Sequence, residues 1–151
     1  MRFGNLVHQL AVGGSGGNLF NDIGLLVARL GFGTYMALSH GLGKIRNPSA
    51  MAPYLEALGL PLPTAMAWVA GVVEFFGAIL LTIGLVTRPA ATALAGAMCI
   101  AAFVAHQGDP WFLASGPKTR EPAMLFLFAF VLFAFAGGGR FSVDRFLRKK
   151  T

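Results

Sequence analysis

The chain has 151 residues, of which 56% are hydrophobic and only 12% charged, and its formal net charge is +6. That length accommodates one domain, and the charged fraction is about half of the roughly 25% carried by ordinary soluble domains. A soluble fold of this composition would expose large apolar patches and aggregate, so a lipid bilayer is the expected solvent.

The positive charge does not point to nucleic acid. Five of the twelve Lys and Arg residues fall in the last twelve positions: Arg140, Arg145, Arg148, Lys149 and Lys150. They follow an apolar segment, where anionic lipid attracts them, and no basic surface is interleaved with stacking aromatics. Cys99 is the single cysteine, which excludes an intrachain disulfide, a CxxC pair and a thiolate cluster. Its apolar surroundings predict a buried, inert thiol.

Residues 1–20 read as a flexible cytoplasmic tail, with the Gly13–Gly17 run as a linker. The apolar stretch after Arg2 is broken by His8 and Gln9 and is too short for a signal peptide. Four apolar segments follow, at about 22–42, 65–85, 90–105 and 122–136. The first two are long enough to cross hydrocarbon, and the last two qualify with their flanking turns. Their apolarity has no polar face at helical period, which argues against helices of a soluble bundle. The expected fold is all-α: an integral membrane four-helix bundle over residues 21–139, closed by a basic cytoplasmic tail at 140–151.

Val86 to Pro89 is a tight turn that makes the second and third helices antiparallel neighbours. The first outer loop holds Pro53, Tyr54, Leu55 and Leu58 before Gly59, the pattern of a short amphipathic helix lying on the membrane surface. Trp68 and Trp111 are expected interfacial anchors on that side. Seven Lys and Arg residues fall on the side of the two tails and four on the other (Lys44, Arg46, Lys118, Arg120). Positive-inside bias therefore places both termini in the cytoplasm.

Two charges fall inside the spans, Arg29 and Glu74, and each is costly if left alone in hydrocarbon. Glu74 is flanked one turn away by Ala70, Gly71, Gly77 and Ala78, a surface on which another helix backbone can close. Gly33, Ala37 and Gly41 form a matching strip on the first helix. At 1.5 Å per residue Arg29 lies about 10 Å and Glu74 about 18 Å from the cytoplasmic ends, so a buried Arg29–Glu74 pair is expected. It serves either as a register-fixing pair or as a proton relay through Glu74.

A second polar group is expected at the outer mouth. Arg29, Gly33, Met36, His40 and Lys44 form one helical stripe, and His40, Lys44, His106, Asp109 and Glu121 converge where four segments end. Glu121 also suits a helix N-terminus, where the dipole favours a carboxylate. No spacing supports zinc or haem ligation by His40 and His106. Five phenylalanines of the fourth helix, Phe126 to Phe135, face several directions and supply packing or lipid contact.

This pattern resembles the DoxX family of small four-helix membrane proteins. The matching pieces are Arg29, His40-Gly41-x-x-Lys44, Glu74 in a Gly-rich helix ending Gly84-Leu85-x-Thr87-Arg88, His106, Glu121 and the closing GGGRFSVD at 137–144. The resemblance implies a bacterial plasma-membrane protein linked to oxidation of sulfur compounds with quinone, or to redox assemblies answering oxidative stress. It carries Arg29, His40, Lys44, Glu74, His106 and Glu121 forward as site residues.

The expected function is a membrane subunit that binds quinone or quinol for a redox partner protein. His and Lys donate to the ring oxygens, a carboxylate accepts, and a Phe-lined bundle receives the tail. No haem, flavin, iron–sulfur or nucleotide signature is present, so no intrinsic cofactor or catalysis by this chain alone is expected. The alternatives are a non-enzymatic adaptor or assembly factor and a small proton-coupled transporter. Four short helices leave little room for alternating access unless the protein forms a homo-oligomer.

Overall fold

Proline and glycine punctuate the apolar chain and set the helix boundaries. In the computed structural model, which describes residues 19–112 and 118–148, every ordered element is helical. The all-α expectation holds for these residues. The Gly13–Gly17 run, Arg2, Lys149 and Lys150 lie outside them.

Helix α1 (residues 19–46) is α-helical over Leu19–Tyr35, π-helical over Met36–Gly41 and α-helical again over Leu42–Arg46. It stops at Asn47, which precedes Pro48 and leaves helical geometry at φ −143°. After a 3-10 turn comes α2 (Ala52–Ala57), with Pro53 in its first turn. Gly59 ends it at φ 71°, donating to Glu56 O at 2.8 Å.

Helix α3 (Pro63–Ile83) contains a π turn at Val73–Gly77 and is capped by Gly84 at φ 74°. Helix α4 (Thr87–Ala105) closes with a π turn at Ala101–Ala105, where His106 N donates to Ala101 O at 2.9 Å. Helix α5 (Glu121–Ala136) has Pro122 in its first turn and ends at Gly137, φ 78°. A short α6 (Val143–Arg148) follows. Helices α3 and α4 are long and apolar enough to cross a membrane. Helix α5 is shorter, and α1 carries Asp22, Arg29, His40 and Lys44.

Met36, Leu81, Leu94, Phe130 and Phe133 form the centre of the core. Helix α4 packs most extensively on α5, and α1 on α3, while α1 meets α5 through ring contacts to Phe126. The α1–α3 contact is backbone to backbone. A Cβ on Gly33 would lie 3.0 Å from Ala78 O, and one on Gly71 would lie 3.2 Å from the Lys44 backbone. A Cβ on Gly41 would lie 2.6 Å from the Phe75 backbone. The expected small-residue strip is therefore the helix–helix seam.

That seam yields a direct prediction. Gly41→Ala should destabilise the protein by about 1–3 kcal/mol, because only backbone stands in the way and must move. Gly43→Ala, with nothing within 4 Å, should be neutral or stabilise by up to about 1 kcal/mol. Thermal unfolding in detergent compares the two, and equal midpoints would contradict the seam.

The end bearing the α3–α4 turn is closed by the segment after α5. Asp144 accepts from Val86 N (2.7 Å), Thr87 N (2.8 Å) and Thr87 Oγ1 (2.7 Å). Asp22 Oδ1 accepts from Arg140 N at 2.8 Å. Residues 140–148, expected as the start of a tail, are thus docked on the bundle. Val86 adopts φ 44°, an unfavourable angle for a β-branched residue, and the Asp144 bond to its N–H holds it there.

Cys99 departs from expectation: it is exposed on the outer surface of α4. Its neighbour Met98 takes the core-facing position, and one residue further rotates the side chain outward by about 100°.

Candidate functional site

The expected Arg29–Glu74 pair does not form. Arg29 is 1% exposed and donates Nε to Thr82 O (3.1 Å), Nη1 to Gly138 O (2.5 Å) and Nη2 to Phe141 O (2.8 Å). It ties α1, the end of α3 and the closing segment together. The reason is stagger. Gly33 faces Thr82 and Gly41 faces Phe75, so α1 runs about three turns past the end of α3. Arg29 then lies level with that end, and Glu74 lies level with Gly41, about 18 Å further along.

Glu74 pairs instead with Lys44, Nζ to Oε1 at 2.5 Å. The Glu74 side chain is 3% exposed and that of Lys44 25%. A long Lys stem from the opposite helix reaches back to the carboxylate while its own backbone packs on Gly71. Glu74 was expected inside the bundle and is there. Its second oxygen, Oε2, is buried with no hydrogen-bond partner among the described residues. Such an oxygen carries a desolvation cost of a few kcal/mol unless something donates to it.

Both residues line a cavity of about 590 Å³ whose other walls are almost wholly apolar. Helix α3 contributes Met66, Val69 and Val73, and α4 presents Ala93, Gly96, Ala97 and Ala101. Those four recur at helical spacing on one face, so apart from Ile100 α4 offers little bulk there and the space stays open. The outer loop covers it through Met51, Leu55 and Leu60. Helix α2 was expected to lie on the membrane surface. Its Leu55 is buried toward the bundle, and the Tyr54 hydroxyl donates to Ala105 O in the terminal π turn of α4.

The remaining predicted site residues separate. His106 Nδ1 meets Asp109 Oδ2 at 2.7 Å, and Arg120 braces the same loop through Asp109 O (3.0 Å) and Gln107 O. Arg120 also lies 4.6 Å over the exposed Trp111 ring. His40 packs against Phe126 (5.5 Å) and Tyr35 (6.4 Å), within Coulombic reach of Glu74 and Lys44. Glu121 lines a lateral groove with Phe32, Tyr35 and Phe126. The five-residue outer mouth therefore divides: His106 pairs with Asp109 and Lys44 with Glu74, while His40 and Glu121 both border Tyr35 and Phe126. Among the described residues no three His, Cys, Asp or Glu side chains are grouped to hold a metal ion.

Sequence reasoning missed Asp144, Thr87 and Asp22 as the polar lock of the opposite end. The signal was present in the Ser-x-Asp ending and in Thr87 opening a helix. It also missed the small-residue face of α4, which is legible as alanines and glycine at helical spacing.

Residues 24–107 match the DoxX family. An uncharacterised protein of Haemophilus influenzae is 38% identical over 77% of this chain and 85% of its own. Inner membrane protein YqjF of Escherichia coli is 31% identical over 85% of this chain and 95% of its own. An uncharacterised membrane protein of Mycobacterium tuberculosis is 34% identical over 75% of each. No solved structure shows a significant match. With the family matched over more than half its length and relatives covering three quarters or more of it, this chain belongs to the DoxX family of membrane proteins.

Proposed function

We propose that this inner-membrane protein is a quinol- or quinone-binding subunit serving a redox partner protein. We further propose that it crosses the bilayer four times with both termini cytoplasmic. One observation carries the ligand reading. Glu74, whose buried Oε2 has no donor among the described residues, lines an apolar cavity of about 590 Å³, within the size range of small-molecule sites. A ligand that fits must be lipophilic in body and carry a hydroxyl at one end. A quinol has both. Its hydroxyl would donate to the Glu74 carboxylate and its oxygen would accept from Lys44 Nζ. Oxidation to quinone releases two protons and two electrons; Glu74 takes one proton, the other passes to water, and the partner protein, as oxidant, takes both electrons. The excess of Lys and Arg on the side of the Gly84–Arg88 turn, seven against four, supports the orientation.

Protein purified in mild detergent should retain extractable quinone in a ratio approaching one per chain. Glu74→Gln, which keeps the shape but weakens the acceptor, should lower retention about tenfold, the value of a hydrogen bond to a charged group. Equal quinone in both preparations would sink the reading.

A further inference from the structure

A second cavity, of about 750 Å³, opens at the other end of the bundle, where the α3–α4 turn meets the segment after α5. Its walls are polar and include Arg88, Arg140 and Arg145. Two carboxylates also line it, outnumbered by the three guanidinium groups. Asp144 accepts three bonds from Val86 and Thr87, and Asp22 accepts from Arg140 N. Of the three guanidinium groups, Arg88 gives one bond, to Phe135 O at 3.1 Å. Among the described residues Arg140 and Arg145 commit only their backbone N–H groups. The cavity therefore holds planar cationic donors in excess of its carboxylates, the arrangement that suits a phosphate.

The neighbouring residues distinguish the source of that phosphate. Phe135 is 80% exposed and Phe146 59%, and they adjoin the lining residues Ala136 and Arg145 in the chain. An ion from solution has no use for exposed apolar neighbours, whereas a phospholipid presents a phosphate and acyl chains together. The cavity also lies where the two longest apolar helices end, at the Gly84–Thr87 turn, the level of a headgroup layer. We propose that this cavity binds the phosphate of an anionic phospholipid, with the acyl chains along Phe135 and Phe146. The proposal is independent of the quinol reading.

The test uses delipidated full-length protein in detergent. Phosphatidylglycerol, phosphatidylcholine and inorganic phosphate are titrated separately, reading the unfolding midpoint and the lipid retained in native mass spectrometry. Phosphatidylglycerol should stabilise saturably, at least about tenfold more tightly than phosphatidylcholine. The double substitution R140Q/R145Q should weaken it by at least about tenfold, following the attraction contributed by each basic residue. R46Q/K118Q, which removes the same charge at the opposite end, should leave it unchanged. Equal retention by R140Q/R145Q and the unaltered protein would overturn the site. A saturable shift with inorganic phosphate alone, equal to that with lipid, would overturn the lipid as occupant.

Discussion

Lys44→Met should destabilise the protein by about 3–5 kcal/mol, the usual consequence of leaving one partner of a buried ion pair uncompensated. Glu74 is 3% exposed and would keep two oxygens without a donor. Glu74→Gln should cost less, about 1–2 kcal/mol, because the Lys44 side chain is 25% exposed and its ammonium can turn to water. The double change to Lys44→Met and Glu74→Met should recover most of the loss, since a well-packed apolar pair often equals a buried ionic one. A double-mutant cycle on thermal or denaturant unfolding measures the coupling. Additive single effects would show that the pair does not form. The double variant also separates stability from ligand binding: it should fold well and retain no quinone.

Removing the Arg29 guanidinium should loosen the opposite end of the molecule. Its three bonds reach carbonyls on α3 and on the closing segment, and each bond to a charged group contributes about 1.5–3 kcal/mol. Arg29→Met should therefore cost roughly 3 kcal/mol or more and free the segment after Gly137. Arg29→Lys should restore less than half, because one compact ammonium cannot span three carbonyls set by a planar fork. Limited trypsin digestion reads this directly: cleavage after Arg140 and Arg145 should accelerate in both variants. Unchanged cleavage with an unchanged unfolding midpoint would show that Arg29 does not tether the segment.

Much of the architecture was legible from residue type alone. Pro53, Gly59 and Pro122 mark helix ends in the sequence and do so in the structure. The small-residue strip Gly33–Ala37–Gly41 identified the α1–α3 seam, and the burial of Arg29 and Glu74 followed from the cost of exposing charge to lipid. What failed was register. Depth counted from predicted helix ends assumes that neighbouring helices begin level, and the stagger of α1 against α3 is a tertiary property with no local signal. The stripe joining Arg29 to His40 and Lys44 failed for a related reason. It counts 3.6 residues per turn through Met36–Gly41, where the helix is π. His40 consequently faces Phe126 and Lys44 faces α3.

The π turn in α1 is, in effect, an α-helix with one residue too many. Excising a single residue from 36–41 would let the segment relax to ordinary winding and swing everything beyond it by about 100° around the axis. The ammonium would then leave its carboxylate, although every side chain that makes the contact would still be encoded. Chain length at this point is therefore as much a determinant of the ion pair as the identities of Lys44 and Glu74, and a one-residue gap here in a related sequence would mark a differently wired protein.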